Sequence, residues 1–370
     1  MTELPEVGIG IVGYGMMGRA HAYAYTLAPR VRELPVAPRL RAISGRNDEA
    51  VRQAAGRYGI ESWTTDWREL VERADIQIVD VCTPPGHHAE VVEAAAAAGK
   101  AVLCEKPLAA DYASASAAVA AVRTAGVPNA IGFNYRRLPA VSLLKELVDE
   151  GRIGDVLLWR ATWLSDEFLD PEIPFDWRFE RDLGGTTIAD LGAHVVDLAE
   201  WIVGEIAEVS AHSSTFTRER SGRAVEIDEA SSALVRFAGG AAGTFELART
   251  CAQRPCDLWI EVNGTLGTLR FEYPRLNELW FGEAGDERRL YGMRRIRAEH
   301  PSHPYAADWW PIGQGVGYGT SFVNQAADHL ARWPGGAWDP DLKTGLRVQR
   351  VCEAMERSAT ERRWVAVSEI

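Results

Sequence analysis

The chain has 370 residues, 46% of them apolar and 25% charged, with a formal net charge of -12 and a pI of about 5.3. That length accommodates about two domains, and an acidic balance without a dense Lys/Arg face argues against nucleic acid as a partner. The opening Met1-Thr-Glu-Leu-Pro-Glu has no basic n-region, and neither Val7–Val12 nor Ala94–Ala98 is long enough to span a bilayer, so a cytoplasmic protein without a membrane partner is expected.

The first elements set the fold class. Val7–Val12 is almost continuously apolar, as a buried strand is. It runs into Gly13-Tyr14-Gly15-Met16-Met17-Gly18, and Arg19–Ala28 then reads as a helix ended by Pro29. Strand, Gly-x-Gly-x-x-Gly and helix together form a dinucleotide-binding fingerprint. Gly13 permits the tight turn, Gly15 lets backbone approach a pyrophosphate, and Gly18 lets helix and strand pack closely. The whole loop, Tyr14, Met16 and Met17 included, is assigned to the cofactor, with the helix N-terminus offering N–H groups to phosphate.

Further strands are expected at Leu40–Ile43, Ile76–Cys82, Ala101–Cys104 and Ala130–Phe133. Helices are expected at Asp48–Tyr58, Asp66–Arg73, His88–Ala98 and Asp111–Ala125. This alternation implies a parallel sheet covered on both faces, a Rossmann-type α/β domain over residues 1–133.

Three strand ends carry the candidate cofactor residues. Ser44-Gly45-Arg46 follows the second strand, where an NAD-selective site usually carries an acidic residue. Ser44 and Arg46 can instead hold a 2′-phosphate, so the cofactor is read as NAD or NADP with a slight lean to NADP; the alternative is a solvated Arg46. Thr83-Pro84 should line the floor under the nicotinamide ribose, with His88 either touching that ribose or serving the helix start. Glu105-Lys106-Pro107 places a cation at the C-terminal end of a strand, where open α/β sheets bind ligands. Alone, Lys106 reads more readily as a solvated lysine before a turn proline.

After Phe133 the alternation stops. A helix at Val141–Asp149 precedes strands at Asp155–Trp163, Ala207–Ser213, Ser231–Phe237, Gly243–Thr250, Leu258–Val262 and Thr268–Tyr273. Helices at Gly319–Trp333 and Asp341–Thr360 and a strand at Trp364–Val367 close the chain. Runs of strands after a βα domain indicate an α+β second domain over 134–370, with a C-terminal helix free to pack back toward the first. Of the five cysteines, Cys82 and Cys104 read as core, and no Cys/His set completes a metal site, so no metal is expected.

Asp190 and His194 are four residues apart, which places them on one face if a helix runs from Ile188 to Val203. Oxidising an alcohol with a nicotinamide removes a hydride from carbon and a proton from oxygen. An imidazole suits the proton's acceptor at neutral pH; the alternative for His194 is a satisfied core histidine. Lys106 would polarise the same hydroxyl, and Asp190 would orient the substrate or share the network. Lys106 as the proton acceptor stays open. Trp163 and Trp177 can stack on a sugar ring or pack the core, and Asn134, Tyr135, Arg136, Asp166, Asp176 and Arg178 can fix hydroxyls, with interior ion pairs the alternative for the two arginines.

These residues converge on a pattern. Gly13-x-Gly15-x-x-Gly18, Thr83-Pro84-x-x-x-His88, Glu105-Lys106-Pro107 and Gly184-Gly185-x-x-x-x-Asp190-Leu-Gly-Ala-His194 resemble the Gfo/Idh/MocA oxidoreductase family over essentially the whole chain. Asn134-Tyr135-Arg136-Arg137 and Asp176-Trp177-Arg178 resemble its levoglucosan-dehydrogenase-like branch. The resemblance implies a Rossmann domain followed by a large, open, mostly antiparallel sheet, one face lining the substrate pocket and the other often an oligomer interface. It implies a homodimer or homotetramer, a cis Lys106–Pro107 bond, and oxidation of a secondary ring hydroxyl, often the 3-position, of a sugar, anhydrosugar, glycoside or inositol. A nicotinamide-dependent glycosidase and a non-catalytic dinucleotide-binding regulator are the alternatives.

Overall fold

The computed structural model describes residues 4–370; Met1-Thr2-Glu3, part of the segment searched for a leader, lies outside them. The chain divides into two units. The first runs to Asn134 and takes up Tyr318–Arg347; the second comprises Tyr135–Gly317 and Val348–Ile370. The first unit thus combines the residues before the boundary near 133 with a late segment of the chain, Tyr318–Arg347.

The first unit alternates strand and helix: β1 (Glu6–Val12), α1 (Met16–Val31), β2 (Ala37–Ser44), α2 (Asp48–Tyr58), β3 (Trp63–Thr64), α3 (Trp67–Glu72), β4 (Ile78–Val81), α4 (His88–Ala97), β5 (Ala101–Cys104), α5 (Tyr112–Ala125) and β6 (Asn129–Ile131). The parallel sheet has the order β3-β2-β1-β4-β5-β6. Its order reverses between β1 and β4, the switch point at which such sheets bind ligands. The strands are apolar on both faces because helices cover both; Ile9, Ile11, Val79 and Val102 are fully buried. Asn47, Asp66 and Asp111 cap α2, α3 and α5 with their side-chain oxygens.

Two expectations change here. Strand β3 is only two residues long and carries too little pattern to be read. Helix α1 runs through Pro29 to Val31, because a proline in the last turn removes a single hydrogen bond.

The second unit contains α6 (Pro139–Asp149), β7 (Val156–Leu164), α7 (Ala193–Ile202), β8 (Ile206–Ser214), a small hairpin of β9 (Glu219–Arg220) and β10 (Arg223–Ala224), then β11 (Ala230–Phe237), β12 (Ala242–Ala248), β13 (Asp257–Gly264), β14 (Gly267–Glu272), β15 (Glu278–Glu283) and β16 (Arg294–Arg297). Near the end of the chain come α8 (Tyr318–Ala331), α9 (Leu342–Glu361) and β17 (Val365–Ala366). The nine-stranded sheet has the order β16-β15-β14-β13-β7-β12-β11-β8-β17, antiparallel except between β12 and β7. Strict alternation along β11 and β12 buries Ala233, Val235, Phe245 and Leu247 on one face and exposes Leu234, Arg236, Thr244 and Glu246 on the other. Strands β15 and β16 were missed because the apolar centre of β15, Leu279-Trp280-Phe281, is only three residues long, and arginines dominate β16.

Helix α8 belongs to the first unit and lies against α1. Arg32 pairs with Asp328 at 2.7 Å, and the His21 and Phe322 rings are 5.5 Å apart. Among the described residues no helix is long and apolar enough to cross a membrane.

Candidate active site

In the first unit the glycine loop joins β1 to α1 at the switch point. Gly13 has φ of +114°, and a Cβ there would lie 2.5 Å from the Cys82 carbonyl. A Cβ on Gly18 would meet the Gly13 carbonyl at 2.0 Å. Both positions are glycine for reasons internal to the fold. Gly15 differs: a Cβ there would meet no protein atom within 4 Å. It sits as the cap residue at the N-terminus of α1, beside Met16, which is exposed, and Met17. Open space over free helix N–H groups is what a pyrophosphate requires, so the loop fits a dinucleotide.

The Tyr14 ring closes over Gly45, where an added Cβ would lie 2.1 Å from it. The Gly45 N–H donates to the Thr64 carbonyl at 3.2 Å, which fixes the end of β2. Ser44 is buried there, while Arg46 is exposed.

Beyond β4, the Thr83 hydroxyl is buried without a protein partner, and Pro84 leads the short turn Pro85–His87 into α4. His88 is fully buried. Its Nδ1 lies 2.8 Å from the Pro107 carbonyl and its Nε2 2.7 Å from the Thr83 carbonyl. Of the two readings of His88, the ring's nitrogens thus serve backbone: they tie the Thr83 turn to the Lys106–Pro107 turn. The Lys106–Pro107 bond is cis, as the resemblance implies. Glu105 is buried and accepts the Lys106 N–H at 3.1 Å through Oε2. Asn134 also belongs to this unit, donating through Nδ2 to the Ser321 hydroxyl of α8 at 2.7 Å.

In the second unit the expected helix from Ile188 opens as a π-turn over Ile188–Gly192 before α7 begins. The same-face argument for Asp190 and His194 therefore does not hold in the form α-helical spacing gives it. The turn is anchored by buried Asp228, whose carboxylate accepts the N–H groups of Thr187 at 2.9 Å and Ile188 at 3.2 Å. Asp190, on this turn, is ion-paired with Arg249 from the end of β12. Arg249 is fully buried and lies over the Phe168 ring at 4.6 Å. The sequence reading missed it; an arginine closing the apolar run Phe245-x-Leu247-Ala248 was the available signal.

His194 is set in an aromatic cage. Its ring stacks on Trp163, with centroids 5.3 Å apart and planes at 28°, and meets Tyr135 edge-on at 4.7 Å. Tyr135 also hydrogen-bonds Tyr273, and Trp163 hydrogen-bonds the Cys256 thiol. Burial pushes Tyr273 up to about 12 and Cys256 up to about 11, so both stay protonated at neutral pH and place no anion beside the imidazole.

The remaining residues expected at the substrate divide. Arg136 is engaged by buried Asp197 at 2.5 and 2.9 Å and lies over Trp201, the interior ion pair that was its alternative. This leaves it poorly placed to serve a hydroxyl. Asp176 caps the turn Trp177–Phe179, and Arg178 lies over Trp177 while pairing with Asp176 at 3.3 Å and Glu167 at 3.4 Å. Asp166 is half-buried at the start of the same loop.

Comparison with known proteins fits this geometry. Residues 7–133 match the model described as an oxidoreductase family with an NAD-binding Rossmann fold, and residues 141–270 match the Gfo/Idh/MocA C-terminal domain. The chain belongs to the Gfo/Idh/MocA oxidoreductase family. It is 36% identical to levoglucosan dehydrogenase from Pseudarthrobacter phenanthrenivorans, over 99% of this chain and all of that one. A structure of levoglucosan dehydrogenase with NADH and levoglucosan is 37% identical, with a TM-score of 0.95 over 98% of this chain and 99% of that one. An oxidoreductase domain protein from Kribbella flavida is 44% identical, with a TM-score of 0.95 over 98% of this chain and 100% of that one. As a Gfo/Idh/MocA member the protein is an NAD-dependent dehydrogenase, and its first unit is the NAD-binding domain.

Proposed function

We propose that the protein oxidises a secondary ring hydroxyl, with C3 the leading candidate, of a sugar, anhydrosugar, glycoside or inositol. The observation that carries this reading is the full-length likeness to levoglucosan dehydrogenase. Support comes from an imidazole held in an aromatic cage on the second unit. Bound NAD supplies the hydride acceptor. His194 takes the hydroxyl proton, Lys106 donates a hydrogen bond to the same oxygen as alkoxide character develops, and Asp190 orients the substrate. Trp163 and Trp177 offer faces for a sugar ring, and Tyr135, Asn134, Asp166, Asp176 and Arg178 are its candidate hydroxyl partners.

NADP is accepted alongside NAD in this reading. Arg46 is exposed at the end of β2. The nearby Asp48 carboxylate already accepts the Trp63 indole N–H at 3.1 Å. The protein works as a homo-oligomer through the uncovered sheet face that carries Leu158 and Leu234, and light scattering in solution tests this.

The deciding experiment is a panel of levoglucosan, glucose, galactose, myo-inositol and several glycosides with NAD or NADP, followed by nicotinamide fluorescence. Stoichiometric NAD(P)H with a ketone product supports the reading. Glycone release without net reduction would replace it with a glycosidase, and no turnover of the whole panel would overturn it.

A further inference from the structure

His21 lies on α1, one turn past Gly18, and is 2% exposed. Its Nδ1 faces both Asp80 oxygens at 2.8 and 2.9 Å, and its Nε2 faces Glu105 Oε1 at 2.9 Å. A neutral imidazole has one N–H and would turn a lone pair on a carboxylate at the other nitrogen. Only the imidazolium donates to both. Burial opposes the charge, but the Asp80 carboxylate beside the ring outweighs it and holds His21 well above its ordinary value.

The other groups facing this centre are neutral donors to Asp80: the Cys82 thiol at 3.4 Å and the Tyr25 hydroxyl. Burial pushes both upward, so they stay protonated. From α8 the Phe322 ring faces His21. Glu105 is wedged against Gly132, where a Cβ would lie 2.6 Å from Oε1. Its second oxygen holds the Lys106 N–H at 3.1 Å. An unbroken chain thus runs from Asp80 through His21 and Glu105 to the backbone of Lys106. A histidine within an apolar helix and an aspartate within the strand Ile78-Val-Asp80-Val81 were the sequence signals, and the function described so far uses neither.

We propose that His21 is a positioning residue of the dehydrogenase: as a doubly protonated ring it locks Glu105, and through Glu105 it fixes the backbone that presents Lys106. The proposal rests on the reading of Lys106 as the group at the reacting hydroxyl, and the test separates the two. His21→Gln is expected to lower kcat tenfold or more while NADH affinity, measured by fluorescence titration, stays within about twofold. The loss should vanish in the Lys106→Ala background, since the effect passes through Lys106. In His21→Ala, added imidazole should restore kcat, whereas thiazole, of the same shape but without N–H, should not.

Near-normal kcat in Lys106→Ala overturns the reading of Lys106 and this proposal with it. A low kcat in Lys106→Ala with a normal His21→Gln overturns this proposal alone, as does equal rescue by thiazole. One measurement needs no variant to fold. In the wild-type protein, selective 15N labelling of histidine should show both His21 nitrogens protonated at pH 8, and a neutral ring there refutes the proposal.

Discussion

The imidazole of His194 lies stacked on the indole of Trp163, ring centres 5.3 Å apart. The indole comes from β7 and the imidazole from the first turn of α7, so the stack fixes the ring's plane from outside its own helix. With Tyr135 meeting the ring edge-on, little rotation is left to it. Trp163→Phe should keep a stacking face and most of kcat. Trp163→Ala should lower kcat about tenfold or more with NAD affinity unchanged, provided thermal melting shows the variant folded. Steady-state kinetics check this, and equal kcat in both variants would remove the stack from any positioning role.

The glycine loop separates stability from binding. Gly18→Ala forces a Cβ to within 2.0 Å of the Gly13 carbonyl. It should destabilise the apo protein by a few kcal/mol, about the scale of overpacking in a closed core. Gly15→Ala meets no protein atom. It should leave apo stability within about 0.5–1 kcal/mol, the scale of ordinary glycine substitutions, while weakening NAD binding tenfold or more. Apo melting and cofactor titration on both variants check the pair. A Gly15→Ala protein that binds NAD normally would mean that phosphate sits elsewhere.

The first unit was legible because its pattern is local. Val7–Val12 with Gly13-x-Gly15-x-x-Gly18 carries strand, turn and helix within a dozen residues. The order β3-β2-β1-β4-β5-β6 is the one expected when consecutive strands are joined by helical crossovers. The second unit was less legible because its contacts are long-range. Nothing near Asp190 announces Arg249, and nothing near Arg136 announces Asp197, 61 residues away. The π-turn at Ile188–Gly192 is held by Asp228, 40 residues on, which helical spacing alone does not announce. Buried charge was the other blind spot: His21 and Asp80 sit in segments whose apolar pattern reads as core.

Lys106 and His194 carry separable roles in the proposed reaction. Lys106→Ala and His194→Ala should each lower kcat about 10²-fold or more, the usual scale for a lost oxyanion donor or general base. NADH binding, a function of the first unit, should survive His194→Ala. Either variant turning over near the wild-type rate would withdraw the corresponding assignment.

Arg249 ties the carboxylate of Asp190 to the loop bearing Phe168. Its side chain pairs with Asp190 and covers the Phe168 ring, and its carbonyl accepts the Phe168 N–H at 2.7 Å. Arg249→Met keeps volume but removes the Arg249 ion pair from Asp190. Breaking a buried pair costs about 3–5 kcal/mol; Asp190 is one-fifth exposed, so the loss should fall below that range. Sugar KM should rise as Asp190 loses this pairing, while NAD affinity holds. Unchanged sugar kinetics would show that the ion pair serves folding alone.

The buried imidazolium of His21 makes stability fall on the alkaline side. Its value in the folded protein is raised well above the ordinary 6.5, because the Asp80 carboxylate outweighs the opposing effect of burial. A raised folded value means that the folded state binds the proton more tightly than the unfolded chain does. The stabilisation is complete below about pH 6.5, where both states are protonated. It is lost as pH climbs from there through the folded value, at up to about 1.4 kcal/mol per pH unit for one proton. Urea unfolding of the wild-type protein between pH 6.5 and 9 should therefore show a falling free energy, and His21→Gln should lose that slope over the upper part of the range. A wild-type stability that is flat or rising across this window would mean that the ring is neutral in the folded state.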